Sequence, residues 1–384
     1  MSRRLDRWWH VPGPASLLDG WIDDLENSKS LVFLMPRGTS LPDPLVALER
    51  AHRLKRTLEV LALVDTSEEP LSPGELLGDE VGMPRDRAPR KAANWLDNGD
   101  LSSCLVVHAP TGPDATGAWL EFVEEFAEAT RNSARKQDCP RFALLVSAES
   151  LAHEYVPRTP NLGVVQLGMA TTRLDLMCHV SRVMEPTGDP RELELRAGLC
   201  VELCAGDLDA LGELAAFGLD ALCEVDQMVS WWLEREPLTH TTPAQTHWAR
   251  WANGHVRRVD GRALEAPCRC DEDYLRRWIP RAIWGAQART LIPVLDAIRR
   301  RAIERFGEEV ELPHKRETGF LVHEIDRLEI GDLAFLASNR ALGHVTTGEL
   351  QELYAMKQAR NELCHNQHLL ARQARQVLEY GRDL

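Results

Sequence analysis

The stretch SLVFLMPRGTSLPDP, residues 30–44, contains an apolar run followed by a loop that carries glycine and proline. Four later runs have the same apolar character: LEVLALVD (58–65), SCLVVHAP (103–110), RFALLVS (141–147) and LGVVQLG (162–168). Amphipathic helical stretches lie between or beside these runs. Continuously apolar strands separated by helices are typical of a parallel sheet that is covered on both faces. Residues 1–185 are therefore predicted to form an α/β domain.

This pattern resembles the core of a P-loop NTPase, and WHVPGPASLLDGWIDDLENSKSLVFLMP (9–36) resembles the first helix and strand of a signalling-type ATPase module. A phosphate loop of the form G-x4-G-K-[ST] would follow that strand, but residues 35–44 read MPRGTSLPDP. The third run ends in HAP, where magnesium binding would need a carboxylate. The domain is interpreted as a degenerate P-loop-like domain that has lost hydrolysis, or as a sheet that never had it. No cofactor is expected.

The remaining half of the chain is predicted to be helical. Residues 186–270 are predicted to form a helical linker domain, and residues 271–384 a helical bundle. Pro280 and Pro293 are expected to bend or restart the long helix that begins near Asp271. The predicted fold class is thus α/β followed by all-α.

The net charge of −14 argues against a general nucleic-acid binder. The acidic excess lies in residues 1–270, which carry 28 basic and 41 acidic residues. Residues 271–384 carry 17 basic and 18 acidic residues and are nearly neutral. The C-terminal part is therefore still compatible with local binding of a polyanion.

The sequence also predicts the cellular compartment of the protein. No apolar run approaches the ~20 residues that a membrane span needs, and the opening MSRRLDRWWHVPGP lacks the apolar core of a signal peptide. The nine cysteines lie in apolar segments, which favours reduced, packed thiols over a disulfide framework. We expect a cytoplasmic protein without membrane contact.

Five residues of metal-ligating types occur close together in the sequence: His240, His247, His255, Cys268 and Cys270. Their spacings do not repeat, and the C-x-C pair lacks the C-x2-C form of most structural zinc sites. No metal site is predicted.

The candidate functional residues lie in MKQARNELCHNQ, residues 356–367. The preceding VTTGEL (345–350) contains Thr346 and Glu349 at the spacing of a capping box, which predicts the start of a helix. Neither glycine nor proline follows until Gly381, so the motif is expected inside one long helix. Asn361 and His365 would share one face of this helix. Arg360 is the residue before Asn361, and its long side chain could reach the same ligand.

The segment RNELCH resembles the R-x(4-6)-H signature of HEPN domains, helical bundles that often act as metal-independent ribonucleases. The resemblance implies that Arg360, Asn361 and His365 are the catalytic residues and that RNA is the substrate. It also implies a homodimer in which two motif helices build one composite site. Such domains commonly serve bacterial antiviral defence or abortive infection.

Two other interpretations remain open at this stage. In one, the same bundle is a non-enzymatic scaffold or regulatory subunit of a multi-protein defence complex. In the other, the protein is a nucleotide-binding sensor without hydrolysis. The cluster of Arg299, Arg300, Arg301 and Arg305 is compatible either with a solvated helix face or with a rim that guides RNA toward the motif.

Overall fold

The computed structural model describes residues 7–63, 71–96, 101, 103–110, 112–134, 137–169, 171–185, 189–235, 246–316 and 319–382. Across these ranges, no helix is both long enough and apolar enough to cross a bilayer.

The α-helices of the described residues are numbered here in chain order. They are α1 Pro12–Glu26, α2 Pro44–Arg50, α3 His52–Thr57, α4 Pro73–Glu80, α5 Pro113–Asn132, α6 Arg173–Val183, α7 Pro190–Leu203, α8 Leu208–Leu214, α9 Leu219–Cys223, α10 Val225–Glu234, α11 His247–Ala252, α12 Glu272–Phe306, α13 Ile330–Ser338, α14 Thr347–Cys364 and α15 Ala371–Tyr380. The strands are β1 Ser30–Met35, β2 Val60–Leu63, β3 Cys104–His108, β4 Arg141–Ser147, β5 Leu162–Gln166, β6 Val256–Val259, β7 Arg262–Glu265, β8 His314–Lys315 and β9 Leu321–Val322.

Strands β1 to β5 form one sheet in the order β2-β3-β4-β1-β5, and every pair in it is parallel. Each of the five apolar runs contributes one strand, so the predicted parallel sheet is confirmed. The predicted second strand extends to residue 65, and its last two positions lie outside the described residues. Two short antiparallel hairpins, β6-β7 and β8-β9, follow later in the chain.

Both faces of β1 are buried, as expected for a strand in the interior of a parallel sheet. Val32 and Leu34 belong to a hydrophobic cluster that also contains Phe126 of α5. Phe33 points to the opposite face, since side chains alternate along a strand. Its ring meets Trp21 of α1 edge to face, with centroids 4.9 Å apart. Helices thus cover both faces of the central strand.

The described residues divide into two compact units. The first contains those of Met1–His179, Ala205–Asp209 and Leu238–Arg269, and the second those of Val180–Cys204, Ala210–Pro237 and Cys270–Leu384. Residues of the predicted linker domain, 186–270, therefore occur in both units. The first unit holds the five-stranded sheet, and the second holds the motif.

The second unit is organised around α12, which packs against α7, α10, α14 and α15. Pro280 and Pro293 both lie inside α12, and the helix continues through them without a restart. Helix α13 packs on α14. The bundle that carries the motif therefore includes α7 and α10, which precede residue 271.

Candidate functional site

Helix α14 begins as the sequence predicts. The Thr346 hydroxyl accepts the Glu349 backbone N–H at 3.2 Å, and the Glu349 carboxylate accepts the Thr346 N–H at 2.8 Å. This reciprocal pair satisfies two backbone donors that the first helical turn would otherwise leave open. The capping box is confirmed, and it fixes the start of the helix that carries the motif.

The predicted end of this helix is wrong. Helix α14 ends at Cys364, and His365 is its C-terminal cap rather than an interior residue. Asn366 follows with φ of 59° in the left-handed region. The N–H of Asn366 donates to the Leu363 carbonyl and that of Gln367 to the Glu362 carbonyl, at 3.2 and 2.9 Å. This is a Schellman motif, in which asparagine takes the place that glycine usually occupies.

Arg360 lines a cleft of about 370 Å³. Its Nη2 lies 2.8 Å from Oε2 of Glu329, the residue that caps the N-terminus of α13. The cleft is lined by as many acidic as basic side chains. These are Asp296, Arg299, Asp326, Arg327, Glu329 and Arg360. The guanidinium of Arg360 is thus held by a carboxylate in an electrostatically balanced cleft.

Asn361 and His365 line a different concavity, a wide groove that they share with Tyr354, Lys357 and Glu362. Both side chains are exposed. Within the described part of the chain, neither makes a side-chain hydrogen bond or ion pair. The groove therefore presents a carboxamide and an imidazole to solvent, with the Lys357 ammonium beside them.

The structure brings two of the three predicted site residues together and leaves the third in the other cleft. The buried side of α14 is formed by Leu353, Met356, Ala359 and Leu363. Consecutive residues of a helix are turned by about 100°. Arg360 therefore lies at the edge of the buried side, next to Glu329, while Asn361 faces outward with His365. Within one chain, the expected convergence of all three groups is not observed.

Sequence reasoning missed Tyr354 and Lys357 as groove residues. The side chain of Tyr354 is 46% exposed. Its hydroxyl lies 2.5 Å from the Ser338 Oγ, and the Lys357 Nζ lies 6.0 Å from the centre of its ring. Tyr354, Lys357 and Asn361 stand at i, i+3 and i+7, a helical spacing that could have indicated the shared face.

The arginine cluster of α12 is engaged with acidic partners. Arg299 and Arg300 both pair with Asp296, at 2.9 and 2.5 Å. Arg301 lies 2.8 Å from the Glu352 carboxylate, and Arg305 lies 3.8 Å from that of Glu349. Such pairing is typical of a solvated helix face, and any RNA would have to compete with these carboxylates.

No group of three or more histidine, cysteine, aspartate or glutamate side chains that could hold a metal occurs among the residues that the structure describes. His247 instead lies 3.1 Å from a guanidinium nitrogen of Arg258. His240 falls outside the described residues.

The loop after β1 holds Pro36 to Asp43, and α2 begins directly behind it. Asp43 caps α2 by accepting the Leu45 N–H at 2.8 Å. Its other oxygen lies 2.6 Å from Nε2 of His108, at the carboxyl end of β3. That hydrogen bond raises the pKa of His108. Burial opposes ionisation of Asp43, but the hydrogen bond and charge of His108 outweigh it and lower the pKa of the carboxyl.

In comparisons with protein-family models, curated proteins and solved structures, no match to this chain was found.

Proposed function

We propose that the second unit is a metal-independent endoribonuclease of the HEPN type, and that the protein acts in the cytoplasm in bacterial antiviral defence or abortive infection. The first unit would regulate the nuclease without hydrolysing nucleotide. The observation that carries the proposal is the placement of Asn361 and His365. They lie one turn apart in one exposed groove, and neither side chain is occupied by a partner within the described residues.

The chemistry of the groove suits cleavage of RNA by its own 2′-hydroxyl. The 2′-oxygen attacks the adjacent phosphorus, the bond to the 5′-oxygen breaks, and the products are a 2′,3′-cyclic phosphate and a 5′-hydroxyl. An imidazole can accept the first proton or supply the second, which contributes roughly 10²–10⁴-fold. His365 takes this role, and Asn361 orients it or binds a phosphate oxygen.

Arg360 has a role that one chain alone does not fulfil, because its guanidinium lies in the cleft with Glu329. In a homodimer with a composite site, Arg360 of one copy stabilises the negative charge that develops on the phosphorane oxygens next to His365 of the other copy.

The decisive experiment is an RNA cleavage assay with the full chain and three variants, Arg360→Ala, Asn361→Ala and His365→Ala. We expect Arg360→Ala and His365→Ala to lose at least about 10²-fold in rate. Cleavage should persist in EDTA and leave a 2′,3′-cyclic phosphate. Because the three side chains are exposed or half-exposed, the free energy of unfolding should change by no more than about 0.5 kcal/mol.

Matched controls are available in the same unit. His344 and Arg372 are exposed and lie outside both concavities. His344→Ala and Arg372→Ala should cleave RNA at the wild-type rate. A wild-type chain that cuts no RNA, or an activity that EDTA abolishes, would contradict the proposal.

One observation favours a second candidate, a non-enzymatic assembly subunit. The Arg360–Glu329 ion pair joins α14 to the N-terminus of α13, which is a structural task that needs no catalysis. In that case Arg360→Ala and Glu329→Ala would lower the stability of the protein or of its complex to a similar degree. Wild type would cleave no RNA, and His365→Ala would not change that result.

A further inference from the structure

Two concavities adjoin each other in the first unit, at the carboxyl ends of β1 and β5. The tryptophan pocket is lined by Trp8, Trp9 and Trp21. The arginine pocket is lined by Arg37, Arg257 and Arg258. The two pockets share four lining residues, which are Leu41, Leu167, Gly168 and Thr171. An aromatic compartment thus opens beside a cationic one.

The position of the paired pockets in the fold is that of a ligand site. In open α/β sheets, ligands bind outside the carboxyl ends of the strands. Here β1 and β5 are neighbouring parallel strands, so the loops that follow their carboxyl ends lie side by side. Residues 36–39 after β1 and 167–168 after β5 line the arginine pocket.

The arginine pocket contains cationic groups with unused donors. Arg257 pairs with Asp207 through Nη2 at 2.8 Å, but its buried Nη1 has no partner among the described residues. The buried Nε of Arg258 likewise has no partner among the described residues, and its Nη2 lies 3.1 Å from Nε2 of His247. Arg37 forms an ion pair with Glu149 at 3.2 Å. Two guanidiniums are thus balanced by carboxylates, and Arg258 forms no ion pair with a carboxylate of the described residues.

Glycine brings the backbone close to this pocket. Gly168 and Gly206 both line it and adopt φ of 80° and 79°. A side chain at either position would be strained in this left-handed conformation. A Cβ on Gly206 would also lie 3.0 Å from a methyl carbon of Val259. These positions therefore keep the space beside the arginines open.

The residues that line the tryptophan pocket include a hydrogen-bond donor and an acceptor. Trp9 is 9% exposed, and its buried indole N–H has no acceptor among the described residues. Asp175 is buried and lines the same pocket. Its carboxylate accepts N–H groups of Gly13 and Thr172 and the Thr172 hydroxyl. Flat rings bind well against indole surfaces, and a nitrogen-rich ring can pair with both groups.

We propose that the paired pockets bind a nucleotide, with its base in the tryptophan pocket and its phosphate in the arginine pocket. A buried donor without a partner indicates an acceptor that binds there, and phosphate oxygens are the acceptors that guanidinium groups recognise best. The nucleotide is bound and not hydrolysed, because the described residues that line the arginine pocket include no lysine and the loop after β1 lacks the glycine pattern of a phosphate loop.

The test is calorimetric titration of the full chain with ATP, AMP, adenosine and inorganic phosphate. ATP and AMP should bind saturably and remain uncleaved. Loss of the Arg258 contact should weaken AMP and ATP binding by about tenfold or more in both Arg258→Ala and Arg258→Gln. Trp9→Phe should weaken the nucleotides and leave phosphate binding unchanged. The matched control is Arg262→Ala, an exposed residue of the same β6-β7 hairpin, which should bind as wild type does.

Three results would overturn the nucleotide site. The first is the absence of ATP and AMP binding at millimolar concentration. The second is equal nucleotide affinity in wild type and both Arg258 variants. The third is a wild-type chain that binds inorganic phosphate but neither ATP nor AMP. Thermal melting of each variant separates lost binding from lost folding, and Arg258→Gln retains the length of the side chain if Arg258→Ala is unstable. His365→Ala should bind ATP like wild type, so this test is independent of the nuclease.

Discussion

At the scale of single residues, the His108–Asp43 pair makes the stability of the first unit depend on pH. The pKa of His108 is raised and that of Asp43 is lowered in the folded chain. The contribution of His108 to the free energy of unfolding is fully present below the unfolded pKa of histidine, about 6.5, and is lost as pH rises through the folded pKa. The contribution of Asp43 is present above the unfolded pKa of aspartate, about 3.9, and is lost as pH falls through the folded pKa.

Asp43→Asn should therefore lower the pKa of His108, because the amide cannot hold the imidazolium as the carboxylate does. The substitution keeps an oxygen that can still cap α2. NMR titration of the histidine ring measures the pKa directly. The difference in unfolding free energy between variant and wild type should be larger at pH 5.5 than at pH 8.5, and equal pKa values in the two proteins would refute the coupling.

The thiols should differ sharply in reactivity. Burial raises the pKa of Cys104, Cys200 and Cys223 to about 12 in each case, so little thiolate forms near neutral pH. Cys364 is exposed and lines the cleft that holds Arg360. Iodoacetamide should label Cys364 in the native protein, and the three buried thiols only after unfolding. Peptide mass spectrometry reads out the order, and rapid labelling of Cys200 in the native state would contradict it.

At the scale of elements, Gln287 fixes the connection between α14 and α15. It is fully buried in α12, donates to the Leu369 carbonyl at 2.8 Å and accepts the Leu369 N–H at 2.6 Å. A leucine at position 287 would leave both backbone groups of Leu369 buried without partners. Each such group costs about 1–3 kcal/mol, so Gln287→Leu should lower the free energy of unfolding by roughly 2–6 kcal/mol.

Denaturant unfolding of the full chain measures this effect. Gln351→Leu on the exposed face of α14 is the control, and it should change stability by less than about 0.5 kcal/mol. If the two substitutions cost the same, the bond to Leu369 does not stabilise the connection.

The elements also show what the sequence can predict. The five strands and the capping box of α14 follow from local patterns, apolar runs and a Thr-x-x-Glu spacing, and both were found. The end of α14 was missed because its stop signal is Asn366 in a left-handed conformation, and asparagine is a weaker marker than glycine. The packing of α7 and α10 on α12 was missed because it joins segments far apart in the chain, which no local periodicity encodes. The division of Arg360 from His365 likewise depends on Glu329, a residue of another helix.

At the scale of the whole molecule, the nuclease proposal predicts that two inactive chains can restore one another. If Arg360 of one copy acts together with His365 of the other, the composite site contains two equivalent Arg360–His365 pairs, and a mixed dimer of Arg360→Ala and His365→Ala chains keeps one of them. Random mixing should then recover roughly a quarter of the wild-type activity, since half of the dimers are mixed and each mixed dimer keeps half of its pairs.

Light scattering of the full chain at tens of micromolar should show a dimer beforehand. As a control, each variant mixed with wild type should retain activity in proportion to its intact sites. A monomer at these concentrations, or no recovery on mixing after subunit exchange has been verified, would exclude the composite site.

The discontinuity of the first unit has a consequence for how the protein is made. Trp251 and Ala252 belong to the same hydrophobic cluster as Val32 and Leu34 of the central strand, and the Ala252 carbonyl accepts the N–H of Arg37. On the ribosome, the sheet residues emerge well before Trp251, while helices of the second unit are synthesised in between. Until Trp251 has been synthesised, part of the apolar surface of the nascent sheet therefore stays uncovered. A chaperone would bind the chain during this period.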